Sequence, residues 1–268
     1  HGWHSKSPVI AKELKDWCNE QQQPITISQA NKNITRSEAS ARQWRYKKLQ
    51  QQANAQACDV VTGHTASDRA ETLLLQMARG CDLNGLGSLR PQRPLDQNHT
   101  DGPQLRRPLL SFSRADTLSI CTELKLPFWL DPSNDDRRFA RNRIRKEVLP
   151  VLESLHPGSS RRIANMAERL SHVQDTQDEL AQITLTTLAQ DEGLNRRSLN
   201  ALSEATRQTI LHYWLQNTGV PSSNASLISE LSHQLRFGSS AGMRALQGGW
   251  TLVWNNKIVR LNAQGSEV

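Results

Sequence analysis

The feature that most constrains the fold is a short apolar run that leads through a polar turn into an amphipathic helix. Residues 59–62 (DVVT) predict a strand, and Thr65 with Asp68 forms a capping pattern that opens a helix ending near Gly80. Short apolar runs alternate with helical patterns through the first half of the chain. This alternation is typical of βαβ units, so the sequence predicts an α/β fold with a parallel sheet.

Further elements of the first half follow from capping and periodicity. We predict helices over 8–19, from a Thr35 to Glu38 capping pattern to about 57, and from Ser113 to about 124. Strands are predicted over 24–27 and 127–130, and residues 84–108, rich in Gly, Pro, Asn and Gln, predict a long surface loop.

The second half has a different pattern. Apolar residues recur at helical spacing over 163–188 and again over 204–216. Residues 250–254 and 257–261 predict a β-hairpin joined by Asn255 and Asn256. With a boundary near 156–158, we predict a catalytic domain over 1–155 and a smaller, mostly helical domain over 156–268 that ends in the hairpin.

Positive charge is concentrated in the first half of the 268-residue chain, whose net charge is +7. Residues 1–150 hold 23 Lys and Arg against 16 Asp and Glu, and residues 151–268 hold 10 of each. The densest segment contains Arg137, Arg138, Arg141, Arg143, Arg145 and Lys146. Such a segment is either a solvated helix face or a surface for a phosphate-rich partner. No apolar face accompanies it, so a nucleotide or nucleic acid is favoured over a membrane.

The remaining composition excludes several classes of protein. With 36% hydrophobic and 22% charged residues, the chain is not disordered, and no apolar run is long enough to span a bilayer. Four separated cysteines favour neither a disulfide scaffold nor a four-thiolate zinc site, and they fit a cytoplasmic protein. Because the chain opens at His1 without methionine, we expect an N-terminal truncation.

Two predicted strands end in polar residues. The first leads to His64 and Asp68, and the second leads to Asp131 just before the basic segment. Ligands bind at the carboxyl ends of parallel strands, so these groups predict a site for a nucleotide with Mg²⁺. Taken singly, His64 could be a hydrogen-bonded loop residue, Asp68 a helix cap, and residues 131–134 an ordinary turn.

A set of ordered motifs resembles one known family. Residues 63–72 (GHTASDRAET), 85–87 (GLG), 107–110 (RPLL), 129–134 (WLDPSN) and 141–145 (RNRIR) are similar to motifs of the tRNA(Ile)-lysidine synthetases, within the PP-loop ATP-pyrophosphatase superfamily. The resemblance runs from His1 to about Glu153, with a looser match beyond. It implies a Rossmann-like sheet of the adenine nucleotide alpha hydrolase type.

The resemblance also implies a two-step reaction. ATP adenylates the C2 oxygen of the wobble cytidine in tRNA(Ile) with a CAU anticodon, and the ε-amine of free L-lysine then displaces AMP. Its implied partners are ATP, Mg²⁺, lysine and this tRNA, without a membrane, and it allows a homodimer.

Site residues follow from the same resemblance. It implies that the catalytic residues are Asp131, Arg141 and Arg143. The expected nucleotide-binding residues are His64, Asp68, Glu71, Arg42, Arg45, Arg79 and Gly80, and Asp68 is also the expected Mg²⁺ ligand. The expected substrate- and tRNA-binding residues are Asn134, Asn142, Arg145, Arg107, Arg137 and Arg138.

One departure from the family pattern matters. The Ser-Gly-Gly-x-Asp-Ser loop, which cradles pyrophosphate in the superfamily, does not occur in this sequence. We therefore expect a sheet that is incomplete at its N-terminus, and little or no synthetase activity from this chain alone. The alternatives are a PP-loop tRNA thiolase, which the scattered cysteines disfavour, and a noncatalytic tRNA-binding fragment.

Overall fold

The chain forms two compact units, residues 1–172 and 173–268. The computed structural model describes residues 7–30, 37–81, 83–96, 99, 101–130, 134, 136–221, 224–236 and 240–263. Over those residues, no helix combines the length and the apolar character that crossing a membrane requires. The functional domain boundary after residue 155 stays a prediction.

The first unit contains a small sheet with a parallel pair at one side. Strand β1 (Val60–Val61) pairs in parallel with β3 (Gln104–Arg106), and β2 (Gln92–Pro94) pairs antiparallel on the other side of β3. Leu105 of β3 is fully buried and packs with Ala53, Val60 and Leu95. The predicted α/β class with parallel strands is thus present.

Three details of the predicted sheet are wrong. The predicted loop over 84–108 contains β2 and β3, which carry three residues each and pair with one another, and β3 also pairs with β1 across a long stretch of chain. The segments 24–27 and 127–130 form no strand. Apolar composition alone does not make a strand, because its backbone groups need a neighbour to pair with.

Several helices of the first unit begin at predicted capping residues. The first five α-helices along the described residues are α1 (Ser7–Glu20), α2 (Glu38–Gln56), α3 (Ala66–Ala78), the short α4 (Leu83–Leu86) and α5 (Arg114–Glu123). The capping boxes at Thr65 and Ser113 are confirmed. Thr35 lies outside the described residues, and α2 is instead capped by Ser37, whose hydroxyl accepts from the Ser40 amide.

The basic segment folds into one continuous helical stretch with a wide turn. Helix α6 (Ala140–Arg143) passes into a π-helical turn (Ile144–Val148) and then into α7 (Leu149–Leu155). Pro150 has no amide hydrogen to donate to the residue four positions earlier. That missing bond accounts for the altered hydrogen-bonding register just before it.

Helix α8 (Ser159–Leu188) begins next to a carboxylate that caps it. Glu153 accepts hydrogen bonds from the backbone amides of Gly158 and Ser160, both at 2.7 Å. The Ser160 amide is the largest cause of a Glu153 pKa lowered to about 2. Since this pKa lies below its ordinary value of 4.5, ionised Glu153 stabilises the fold above that pH.

Replacing Glu153 with Gln should therefore lower the urea midpoint of unfolding at pH 7. The difference from the unaltered protein should shrink as the pH falls from 4.5 towards 2, where the native carboxylate takes up its proton. Glu20→Gln, at an exposed position of α1, is the matched control and should leave the midpoint unchanged at every pH. A Glu153→Gln difference that stayed constant with pH would contradict this.

The second unit is built on a five-stranded antiparallel sheet. Its strands are β4 (Ala189–Gln190), β5 (Gly193–Asn195), β6 (Gly242–Ala245), β7 (Thr251–Trp254) and β8 (Ile258–Asn262), in the order β4-β5-β8-β7-β6. Helices α9 (Arg196–Ala201), α10 (Glu204–Thr218) and α11 (Ala225–Gln234) accompany it. The predicted hairpin is confirmed as β7 and β8, but it belongs to a larger sheet.

Candidate functional site

The carboxyl edge of the parallel pair sets the position of the site. Because β1 and β3 run in the same direction, the chain leaves both at one edge, where ligands bind in open α/β sheets. Thr62 follows β1, and its amide donates to the Arg106 carbonyl at 3.0 Å. Arg107 follows β3 directly, so it lies at the same edge as the turn that carries His64.

His64 is half-buried and uncharged at neutral pH. Its Nδ1 lies 2.9 Å from the Thr62 hydroxyl. Burial lowers the pKa of His64 to about 4, the Asp68 carboxylate opposes this, and Arg107, Arg141 and Arg42 lower it further. The imidazole can therefore donate or accept a hydrogen bond without adding charge.

Asp68 lies in the first turn of α3 and is ionised. Its Oδ2 accepts from the Thr65 amide at 2.8 Å and from the Thr65 hydroxyl at 2.9 Å. Burial raises its pKa, but the Thr65 hydrogen bonds and the charges of Arg141 and Arg114 outweigh burial, so the pKa is lowered overall. The helix cap thus also supplies a negative charge at this edge.

Glu71 lies one turn further along α3 and is fully buried. Arg145 donates to both of its oxygens, from Nε at 2.7 Å and from Nη2 at 3.0 Å. Arg141 donates from Nε to Glu71 at 2.7 Å and from Nη2 to Asp68 at 3.0 Å. A buried carboxylate requires such partners, so Glu71 fixes both arginines.

Arg114, the first residue of α5, completes the group. Its guanidinium donates to Asp68 at 3.2 Å and to Glu71 at 3.4 Å, and its amide donates to the Ser67 hydroxyl at 3.1 Å. The sequence analysis missed this residue, because the contact joins positions more than 40 residues apart. We call Asp68, Glu71, Arg114, Arg141 and Arg145 the carboxylate-arginine cluster.

A second group of cations surrounds Tyr46. The guanidinium carbons of Arg42 and Arg93 lie 5.0 and 5.4 Å from the centre of its ring. Burial raises the Tyr46 pKa, but Arg42, the nearby Arg107 and Arg93 outweigh it and lower the pKa overall.

One buried nitrogen of the Arg107 guanidinium has no hydrogen-bond partner among the described residues. Its Nη1 donates to the Arg90 carbonyl at 2.6 Å, while its buried Nε has no partner in the described part of the chain. Concentrated guanidinium groups with an unused donor suit an anionic ligand such as phosphate.

The donor set at Asp68 does not fit a Mg²⁺ ion. Both of its oxygens are engaged, one by Thr65 and the other by Arg114 and Arg141. Within the described ranges, no group of three or more His, Cys, Asp or Glu side chains could hold a metal ion. Asp68 as placed here is an arginine partner.

Comparison with known proteins identifies the family. Residues 1–152 match the model of the PP-loop domain. The tRNA(Ile)-lysidine synthase of Parasynechococcus marenigrum (strain WH8102) is 57% identical over 261 residues, covering 97% of this chain and 77% of that protein. The chain belongs to the tRNA(Ile)-lysidine synthase family. An enzyme of that name from a strain of Prochlorococcus marinus is 41% identical, covering 97% of this chain and 79% of the relative.

Membership of the tRNA(Ile)-lysidine synthase family confirms the resemblance seen in the sequence. These relatives are lysidine synthases, which speaks against the thiolase alternative. Among solved structures, the U34-tRNA thiolase NcsA from Methanococcus maripaludis with its [4Fe-4S] cluster covers 60% of this chain and 56% of its own, at 21% identity and a TM-score of 0.48.

The structure brings part of the predicted site together. Asp68, Glu71, Arg141 and Arg145 share one cluster, with His64 and Arg107 at the same edge. Asn134 adjoins the cluster, since its Oδ1 lies 3.3 Å from Arg145 Nη1. Asp131 lies outside the described residues, so its predicted approach to the His64 turn stays a prediction.

Other predicted residues lie elsewhere. Arg137, Arg138 and Arg143 are exposed and pair with Glu147 or Asp136. Asn142 is buried and donates to the Asp136 carbonyl at 2.9 Å. Arg45 is exposed on α2.

Arg79 and Gly80 follow the C-terminal end of α3. At 1.5 Å per residue, Arg79 lies about 16 Å along the helix from Asp68. The structure therefore does not bring these two residues to the cluster.

Proposed function

We propose that the complete protein that carries this sequence uses ATP to join free L-lysine to C2 of the wobble cytidine in tRNA(Ile) with a CAU anticodon. The C2 oxygen attacks the α-phosphorus of ATP and releases pyrophosphate. The ε-amine of lysine then attacks C2, and AMP leaves with that oxygen. Family membership supports the reaction, and the observation that carries it for this chain is the shared edge of β1 and β3, which sets His64 and Arg107 beside the carboxylate-arginine cluster.

In the adenylation step, cationic side chains must stabilise the negative charge that shifts among the ATP phosphates as the α-phosphorus is attacked. Arg42, Arg93 and Arg107 lie together around Tyr46, and Arg107 has a buried Nε free to donate. Fixed guanidinium groups stabilise developing negative charge without having to reorganise during the reaction. Neutral His64 adds a hydrogen bond at this edge without changing the charge.

In the lysine step, the amine must be held and must lose a proton. Asp68 is ionised at neutral pH, so it can pair with an ammonium group of the incoming amino acid. Asp131 would hold the ε-ammonium group of lysine or receive its proton. A Mg²⁺ ion that accompanies ATP would draw its ligands from the phosphates and from residues outside the carboxylate-arginine cluster.

The other partners follow from surface and composition. The exposed Arg137, Arg138 and Arg143 would meet tRNA phosphates, and the domain after residue 155 would bind substrate. All four cysteines are free, which supports a reducing, cytoplasmic location. A homodimer remains part of the proposal from the family resemblance.

Lysine transfer is the direct test. The protein that carries this sequence, incubated with ATP, labelled L-lysine and a tRNA(Ile) transcript, should place label in the RNA and release one AMP per lysine. A transcript with uridine at the wobble position is the control and should take no label. A thiolated nucleoside in the digest, or AMP release without lysine incorporation, would refute the proposal.

A further inference from the structure

The three arginines of the carboxylate-arginine cluster are held unequally. Arg141 and Arg145 each make a 2.7 Å contact with the buried Glu71, and their side chains are only 23% and 22% exposed. Arg114 makes the longest contacts, 3.2 Å to Asp68 and 3.4 Å to Glu71, and its side chain is 45% exposed. Of the three arginines, Arg114 is therefore the one that can change partners at the smallest cost.

The backbone of Arg114 is fixed although its guanidinium is not. Its amide donates to Ser67 at the start of α3, and the reciprocal bonds of Ser113 and Asp116 cap α5 around it. The Ser67 contact ties the first turn of α5 to the first turn of α3. Because its backbone is held in place, the Arg114 side chain can change rotamer and reach a ligand beside Asp68 without movement of α3 or α5.

The cluster also carries unbalanced charge. Its three guanidinium groups face two carboxylates, which leaves one positive charge in excess among these five residues. A free amino acid brings a carboxylate and an α-ammonium group on one carbon. The carboxylate would pair with Arg114, and the ammonium group would replace that guanidinium at Asp68, so the exchange leaves the net charge of the cluster unchanged.

We propose that Arg114 determines the amino-acid specificity of the site by binding the α-carboxylate of substrate lysine. In doing so it exchanges its contact with Asp68 for the ligand, and Asp68 receives the α-ammonium group. This inference rests on the proposed function, because it concerns the lysine of that reaction. Arg141 and Arg145 stay on Glu71 throughout.

The test compares lysine with L-lysinamide, which keeps both amines and lacks the carboxylate charge. Arg114→Ala should raise the KM for lysine by about 10- to 100-fold, the size expected for loss of a charge-assisted hydrogen-bonded pair. The inhibition constant of lysinamide and the KM for ATP should stay unchanged. The unaltered protein should therefore prefer lysine over lysinamide, and the variant should lose that preference.

Two further variants complete the experiment. Arg114→Lys keeps the charge and should restore part of the preference for lysine. Arg161→Ala removes another exposed arginine, which pairs with Asp116 at 3.3 Å, and should leave both constants unchanged. Thermal melting checks that each variant is folded.

The outcomes separate the two proposals. If the complete, unaltered protein that carries this sequence transfers no lysine at all, the proposed function fails. If it transfers lysine but Arg114→Ala weakens the binding of lysine and of lysinamide equally, or weakens the binding of neither, only the assignment of Arg114 is overturned. Failure of Arg114→Ala to fold would leave the comparison to Arg114→Lys, in which a reduced preference for lysine over lysinamide supports the contact and a preference equal to that of the unaltered protein overturns it.

Discussion

Replacing Glu71 with Gln should destabilise the first unit by about 3–5 kcal/mol, the cost of removing one partner from a buried charge network. Gln fills nearly the same space, so the change isolates the charge. Arg141 and Arg145 would lose the carboxylate that they contact at 2.7 Å, leaving Asp68 as the remaining partner within the cluster. The melting temperature should fall by roughly 10 °C, and lysine transfer by at least about 100-fold because the arginines are no longer fixed.

Glu168→Gln is the matched control. Glu168 pairs with Arg69 at 3.5 Å, but its side chain is 42% exposed, and the buried Arg69 keeps its two hydrogen bonds to the Leu89 carbonyl when the carboxylate is removed. This substitution should cost less than about 1 kcal/mol and leave activity intact. Hydrogen exchange would locate the loss, with faster exchange in α3 and α6 for Glu71→Gln alone. A Glu71→Gln protein as stable as Glu168→Gln would show that the buried carboxylate does not hold this site together.

Removing the three exposed arginines of the basic segment should weaken tRNA binding strongly. Among the described residues, Arg137, Arg138 and Arg143 form ion pairs with the partly exposed Glu147 and Asp136, and phosphates can replace those partners because the three arginines are themselves exposed. Replacing all three with Ala should reduce the slope of log affinity against log salt by about 2–3, since each phosphate contact contributes close to one unit. At low salt the affinity should fall by roughly 100-fold.

The control for this prediction removes the same charge elsewhere. Lys12, Lys15 and Arg161 are also exposed in the first unit, and their replacement by Ala lowers the net charge equally. Their loss should change the salt slope by less than one unit. Equal slopes for the two triple variants would mean that net charge, and not contact by this segment, governs tRNA binding.

Local patterns in the sequence predicted the parts of the fold that local interactions determine. The capping boxes at Thr65 and Ser113 each involve residues three positions apart, so their helices could be placed correctly. Strand β3 could not be placed, because its three residues have no strand pattern of their own and pair with β2 on one side and with β1, across more than 40 intervening positions, on the other. The apolar segments 24–27 and 127–130 show the converse, since their composition suits a strand and they form none.

The residues of the candidate site likewise divide into those that contiguous motifs predicted and those that only the structure reveals. Motif order identified Asp68, Glu71 and Arg141, because the family resemblance is carried by contiguous residues. It could not separate the basic segment into Arg141 and Arg145, which face Glu71, and Arg143, which faces solvent. Spacing of four residues hints that Arg141 and Arg145 share a face, but the partner on α3 is visible only in three dimensions. Arg114 has no such local signal.

The contact between Glu71 and Arg145 also has a consequence for synthesis on the ribosome. The two residues are 74 positions apart, so at about 5–20 residues per second Glu71 is made roughly 4–15 s before Arg145. During that interval α3 can pack its apolar side, but its glutamate has only water or transient neighbours to satisfy it. We expect the nascent helix to dock fully only once Arg141 and Arg145 arrive, so a segment made late in this unit assembles its chemistry.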